Sequence, residues 1–121
     1  MTSDSSLALN RHIAFELAPV GLALSRKRLV IDCNQHFLAM FQITREQIIG
    51  QSFELIYPTT DEFQRMGIRI AANLDISRRH VDERVMKRSP GELFWCRVSG
   101  RALDPDHPHI AAIWSFEDLS P

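Results

Sequence analysis

The sequence predicts an α+β domain in which helices cover one face of an antiparallel sheet. Three observations carry this reading: a length that suits one core, short apolar runs set off by turn residues at both ends, and capped amphipathic helices between them. At 121 residues the chain encloses a single hydrophobic core and leaves nothing over for a second domain. Its 45% hydrophobic and 24% charged residues are the mixture of an ordinary soluble globular fold, not a disordered one. A formal charge of -1 supplies no field that would draw the domain to nucleic acid or to an anionic membrane, so no direct contact with either is expected. The apolar N-terminal run is broken by Asn10, Arg11 and Glu16, which argues against a span or a signal peptide and makes the cytoplasm the default location. Cys33 and Cys96 lie far apart without C-x-x-C or Cys/His spacing, the pattern of reduced, buried thiols with neither a disulfide nor zinc.

Along the chain, residues 1–6 are small and polar and read as frayed. Leu9, Ile13 and Leu17 recur every four residues, so residues 7–17 form an amphipathic helix that Pro19 and Gly21 end. Residues 21–25 and 28–32 are apolar runs around Arg26 and Lys27, the layout of a tight hairpin. Asp32 with Gln35 suggests a cap for a helix bearing Phe37, Met40 and Phe41; Thr44 with Gln47 opens a turn of helix that Gly50 closes. Thr59 with Glu62 starts the longest of the later helices, whose stripe is Phe63, Met66, Ile70 and Leu74. Gly67, one position off that stripe, lowers helix propensity by about 1 kcal/mol relative to alanine and reads as a site of close backbone approach. Strands over residues 79–87, 92–103 and 109–118 follow, joined by Ser89-Pro90-Gly91 and a polar loop at residues 104–108.

Ala18-Pro19-Val20-Gly21, Cys33-Asn34 before Phe37, Ile49-Gly50-Gln51-Ser52, Gly91 ahead of Phe94-Trp95, and Glu117-Asp118-Leu119-Ser120 fall in an order that resembles a PAS domain over residues 18–120. The resemblance implies a sheet of five antiparallel strands whose first two flank the last, with helices over the concave face enclosing a small pocket, from the motifs between Ala18 and Ser120. It also implies sensing and dimerisation as the function, with residues 18–121 the PAS sensor and residues 1–17 an added dimerisation helix. Glu117 and Asp118 lie in the family's exit motif, from which a signal passes to an effector absent from this chain. Phe94-Trp95-Cys96, Ser99-Gly100-Arg101-Ala102-Leu103 and the run from Ile113 to Ser120 are similar to bacterial regulators in which one PAS domain precedes a LuxR-type helix-turn-helix. Similar phrases precede diguanylate cyclases, and a histidine kinase is a further alternative effector. Flavin photosensors of the light-oxygen-voltage type need a cysteine shortly after the glycine matching Gly50, where this chain has Gln51, Ser52 and Phe53. Haem-binding relatives place a histidine on the long helix, and residues 59–74 contain none. No cofactor is expected, and haem and flavin are disfavoured.

Alternation puts Phe94, Cys96, Val98 and Gly100 on one face of the fourth strand, Trp95, Arg97 and Ser99 on the other, and Ala112, Trp114 and Phe116 together on the fifth. Facing inward, Cys96, Trp114 and Phe116 meet Phe37, Met40, Phe53, Met66 and Ile70, the candidate walls of a pocket for a small apolar or aromatic ligand. The same set also serves as the filled core that any domain of this size requires. The histidines show no ligand spacing, and no metal site is expected. Arg78, Arg79, Arg84, Lys87 and Arg88 alternate with acids and read as a solvated strand face. No nucleophile triad, phosphate loop or paired carboxylates give catalytic machinery, so the chain reads as non-enzymatic. Leu9, Ile13 and Leu17, with Trp95 and Ile113 on the outer sheet face, are the candidate homodimer surface. A ligand-free interaction module is the competing function.

Overall fold

Turn and cap residues decide where each element begins. A computed structural model describes residues 4–121 of the chain. The helix α1 (Asp4–Leu17) precedes a hairpin of β1 (Gly21–Arg26) and β2 (Leu29–Cys33). Then come α2 (Gln35–Phe41), α3 (Arg45–Ile48), a 3₁₀ turn (Phe53–Ile56) and the long α4 (Thr60–Ser77). The strands β3 (Arg79–Arg88), β4 (Glu92–Ala102) and β5 (Ala111–Asp118) complete the chain. All pairings are antiparallel, and the five-stranded sheet runs β2-β1-β5-β4-β3. The predicted α+β architecture, with the first two strands beside the last, is therefore the observed one. The core lies between the inner sheet face and α2, α3 and α4, where Phe37, Phe41, Ile48, Ile56 and Met86 are fully buried. The rings of Phe37, Phe41, Phe94 and Phe116 meet at centroid separations of 4.8–5.6 Å in tilted and edge-on pairs.

Several boundaries differ from the expectation for physical reasons. The predicted fraying of residues 1–6 lies outside the described residues for positions 1–3, while Ser5 and Ser6 are helical. Lys27 and Arg28, not Arg26 and Lys27, form the hairpin turn, and both have positive φ (50° and 68°), the geometry whose twist matches a two-residue hairpin. Asp32 does not cap α2. Its carboxylate accepts from the Cys33 N–H at 2.8 Å and pairs with Arg45 at 3.0 Å, and Asn34 is the cap instead. The Thr44–Gln47 box is reciprocal, and Thr59 accepts from the Glu62 N–H at 3.1 Å. Gly67 does not serve backbone approach: a Cβ there would lie 2.5 Å from an Arg28 guanidinium nitrogen, so the glycine makes room for a side chain.

Asn34 is fully buried and uses its whole amide. Its Oδ1 accepts from the Leu22 N–H (2.9 Å) and the Phe37 N–H (3.0 Å), while its Nδ2 donates to the carbonyls of Phe15 (2.9 Å) and Val20 (3.0 Å). One side chain thus joins the end of α1, the linker, β1 and the first turn of α2. We predict that Asn34→Ala destabilises the domain by about 3 kcal/mol or more, because several buried backbone groups lose their partner together. Urea denaturation measures this, and a loss under about 1 kcal/mol would show that water replaces the amide.

Candidate functional site

The sheet floor, α4 and the 3₁₀ turn do not close fully on one another. Between them lies a cavity of about 140 Å³, floored by Ser25, Ala112 and Trp114, walled by Phe53, Tyr57, Phe63 and Ile70, and rimmed by Arg28 and His109. Its floor follows from the strand period. Ser25 and Ala112 are register partners on β1 and β5, and Trp114 lies two residues along on the same face. The indole N–H donates to the Ser25 hydroxyl at 2.9 Å, which satisfies both polar groups below the cavity. Trp114 is paired with Gly100 on β4, and a Cβ at position 100 would collide with the six-membered ring of the indole. The missing side chain lets the ring spread across the neighbouring strand. Phe53 meets the indole edge-on at 6.2 Å.

Of the residues expected to form a pocket, Phe53, Ile70 and Trp114 line this cavity. Phe116 borders a second void of about 30 Å³, the volume of a single water, deeper beneath Phe53 and Trp114. Phe37, Met40 and Cys96 do not reach either void, because the aromatic cluster and the packing of α2 on β1 enclose them in the core. Met66 is half-buried against that core and lies outside the cavity lining. Sequence reasoning missed Ser25 on β1 and Gly67 on α4, whose small side chains gave no apolar signal, and Arg28, Tyr57 and His109, which approach from turns and loops where no periodicity announces a direction. A separate, more open groove bordered by Gln47, Ser52, Glu54, Thr59 and Lys87 is lined mainly by polar groups, with Leu55 and Pro58 its few apolar contacts.

A charged network adjoins the cavity. His80, Asp82 and Arg84 alternate along β3 and all point inward, so Arg84 does not belong to the solvated face expected of the basic stretch, although Arg79 is exposed as expected. Arg84 grips Asp82 through Nε at 2.7 Å and a terminal nitrogen at 2.9 Å, and also donates to the Tyr57 hydroxyl. His80 Nε2 lies 2.5 Å from the same carboxylate, and its Nδ1 is 2.9 Å from the Asn73 amide on α4. Burial works to raise the Asp82 carboxyl, but its hydrogen bonds with His80 and Arg84 and the Arg84 charge outweigh it and hold the group below the usual carboxylate value. Burial pushes the Tyr57 hydroxyl up, only partly offset by Arg84. Their register partners Gly100, Val98 and Cys96 are all buried, the inward signal that charge concealed. Burial likewise raises the Cys33 thiol to about 11 and the Cys96 thiol to about 12, leaving both protonated at neutral pH. Among the described residues no cluster of three or more His, Cys, Asp or Glu is placed to hold a metal ion.

The other predicted positions lie apart from the cavity. Leu9 (57%), Leu17 (67%) and Trp95 (58%) are largely exposed, Ile13 less so, and Ile113 is half-buried. Glu117 faces Arg97 at 3.6 Å. Asp118 pairs with Arg88 at 2.9 Å, and Arg88 also donates to the Met40 carbonyl at the end of α2 while lying 3.8 Å over the Phe94 ring. No helix among the described residues is long and apolar enough to cross a membrane.

A five-stranded antiparallel sheet thus holds a small cavity beneath one long helix. The chain belongs to the PAS domain family, whose model matches residues 19–121. It is 51% identical to the PAS domain, in complex with ethanol, of a transcriptional regulator in the LuxR family from Burkholderia thailandensis, covering 91% of this chain and 97% of that one with a TM-score of 0.86. It is 29% identical over 113 residues to the sensor protein TdiS of Thauera aromatica, 93% of this chain but 21% of that protein, about a fifth of its length. A LOV protein from Rhodobacter sphaeroides shares the fold at 22% identity and a TM-score of 0.78, covering 98% of this chain and 69% of that one.

Asp82 links this geometry to pH. Because its folded value is depressed, its contribution to stability is full above the unfolded value of about 3.9 and is lost as pH falls through the folded value. We predict that Asp82→Asn costs about 3 kcal/mol at pH 7, since it leaves Arg84 buried without its counter-charge, and that the deficit narrows below about pH 4. Urea denaturation at pH 7 and pH 3 reads both values. An equal deficit at the two would exclude the carboxylate charge as the cause.

Proposed function

We propose that this PAS domain is the signal-sensing module of a bacterial regulatory protein. It takes a small apolar or aromatic molecule into the cavity and relays occupancy to an effector, without catalysis of its own. The single observation that carries the reading is the cavity of about 140 Å³ between α4 and Trp114, close to the roughly 150 Å³ that accommodates benzene in an engineered protein core. A packed core of this size closes such gaps, because each leaves dispersion contacts unmade. The ethanol bound by the Burkholderia relative supports a small organic guest. That relative's place in the LuxR family favours a helix-turn-helix effector, while the likeness to a sensor protein keeps a kinase-type effector as the alternative. Flavin suits the site poorly: a three-ring isoalloxazine exceeds a one-ring space, and Gln51, Ser52 and Phe53 stand where photochemistry needs a thiol.

The relay reading draws on Arg88, which ties the end of α2 to Asp118 at the exit of β5, so movement of the helix layer reaches the last strand through charge-assisted hydrogen bonds. Dimerisation draws on the exposed Leu9, Ile13 and Leu17 of α1 and on Trp95 with the half-buried Ile113 on the sheet, which a second copy would cover.

Two outcomes are expected. In a thermal-shift screen, single-ring compounds raise the melting temperature by mass action, and Ala71→Phe, which fills the cavity from α4, abolishes the shift while the variant remains folded. No shift with any ring-sized compound, and no small molecule retained in native mass spectrometry, would favour the ligand-free interaction module. Light scattering on Ile13→Asp is expected to give a monomer; an unchanged dimer mass from folded protein would remove α1 from the interface.

A further inference from the structure

We infer that the guest is a monocarboxylate carrying one ring, whose anionic group is held by Arg28 at the rim while the ring lies between Phe53, Ile70 and Trp114. This rests on the ligand-sensing reading above and specifies the chemistry of its ligand.

Three features of this chain converge on Arg28. It occupies the second turn position of the β1–β2 hairpin at φ 68°, beside Lys27 at φ 50°, a pair of positions where the turn geometry favours asparagine and glycine. A large cationic residue stands there against local backbone preference. Gly67, half-buried on α4 where it lines the cavity, is the second feature: a Cβ there would lie 2.5 Å from an Arg28 guanidinium nitrogen, so the glycine leaves room for the guanidinium at a cost in helix propensity. Third, the guanidinium lies 5.4 Å from the Phe63 ring centroid and borders the cavity, yet among the described residues it forms no ion pair or hydrogen bond. The acids nearest in sequence on α4, Asp61 and Glu62, are both taken by Arg65, and Asp75 is taken by His109 across the rim.

A guanidinium that lies over an aromatic ring and has no ion partner has edge N–H groups to offer a carboxylate, which it takes through two parallel hydrogen bonds. The rest of the cavity suits a mainly apolar body: the Ser25 hydroxyl accepts from Trp114 and donates to the Ala112 carbonyl, the Tyr57 hydroxyl accepts from Arg84, and most of the remaining wall is Phe53, Phe63, Ile70 and Trp114. One charge at the mouth and an apolar chamber the size of one ring match an acid of benzoate dimensions.

Isothermal titration calorimetry of the full chain with sodium benzoate and with benzyl alcohol tests this in the wild type, Arg28→Gly and Gly67→Ala. Glycine adopts the positive φ of the turn without strain, so Arg28→Gly remains folded. The Gly67→Ala methyl displaces only the far end of a flexible side chain. The wild type is expected to prefer benzoate by about tenfold or more, the scale of one charge-assisted hydrogen bond, and both variants are expected to lose that preference while keeping their affinity for benzyl alcohol. If benzyl alcohol binds the wild type as well as benzoate does, or Arg28→Gly keeps the preference, the carboxylate inference is overturned and the cavity reading survives. If neither compound binds the wild type, both fall.

Discussion

The fold hangs on a buried amide. Asn34 has two donor hydrogens and two acceptor lone pairs, and the chain arranges four backbone groups from three directions to meet them. No other residue type supplies that set at that size: aspartate lacks the donors and would place charge against the Phe15 and Val20 carbonyls, and serine cannot reach all four. Because the helix layer and β1 are joined here, the position of α2 over β1 is set by hydrogen-bond geometry as well as by apolar contact. The aromatic cluster around Phe37 and Phe41 then packs against a frame already fixed, and the opening farther along the sheet is what remains when α4 spans the other side.

The inner face of the sheet is divided into two chemistries. Toward β1 and β5 it is apolar and aromatic, ending at the Trp114 indole; toward β3 it carries His80, Asp82 and Arg84. Such a network is high in consequence, because each member is satisfied only while all are in place. Tyr57 stands on the boundary, with its ring on the cavity wall and its hydroxyl in the network. A guest that moves the 3₁₀ turn therefore moves a hydrogen bond to Arg84, and a disturbance of the ion pair reshapes the wall.

Most of the architecture was legible in the sequence because it depends on local, periodic signals. The Thr44 and Thr59 caps, the stripe of α4 and the strand alternation around Phe94 and Trp114 each state a direction by spacing alone. The misreadings share one cause, that composition does not reveal facing. Arg84 and His80 look like surface residues until β3 is paired with β4, and Asp32 looks like a cap until Asn34, two positions on, proves to be the residue whose backbone is extended at the start of α2. Gly67 was recognised as deliberate, but its partner lies in a turn 39 positions away, and pairwise space between a glycine and an arginine leaves no periodic trace. Phe37, Met40 and Cys96 were placed on the right side of the sheet; how far each lies from the opening is a matter of tertiary distance.

The contact between Gly100 and Trp114 has a consequence for how such domains diverge. Floor area and chamber height are set by two positions that face each other across adjacent strands, one with no side chain and one with the largest. Exchange of bulk between these two sites would redraw the interior while leaving hairpins, caps and exit strand untouched. Paired changes at this single rung of the ladder would therefore alter the chamber while the connections around it stay as they are.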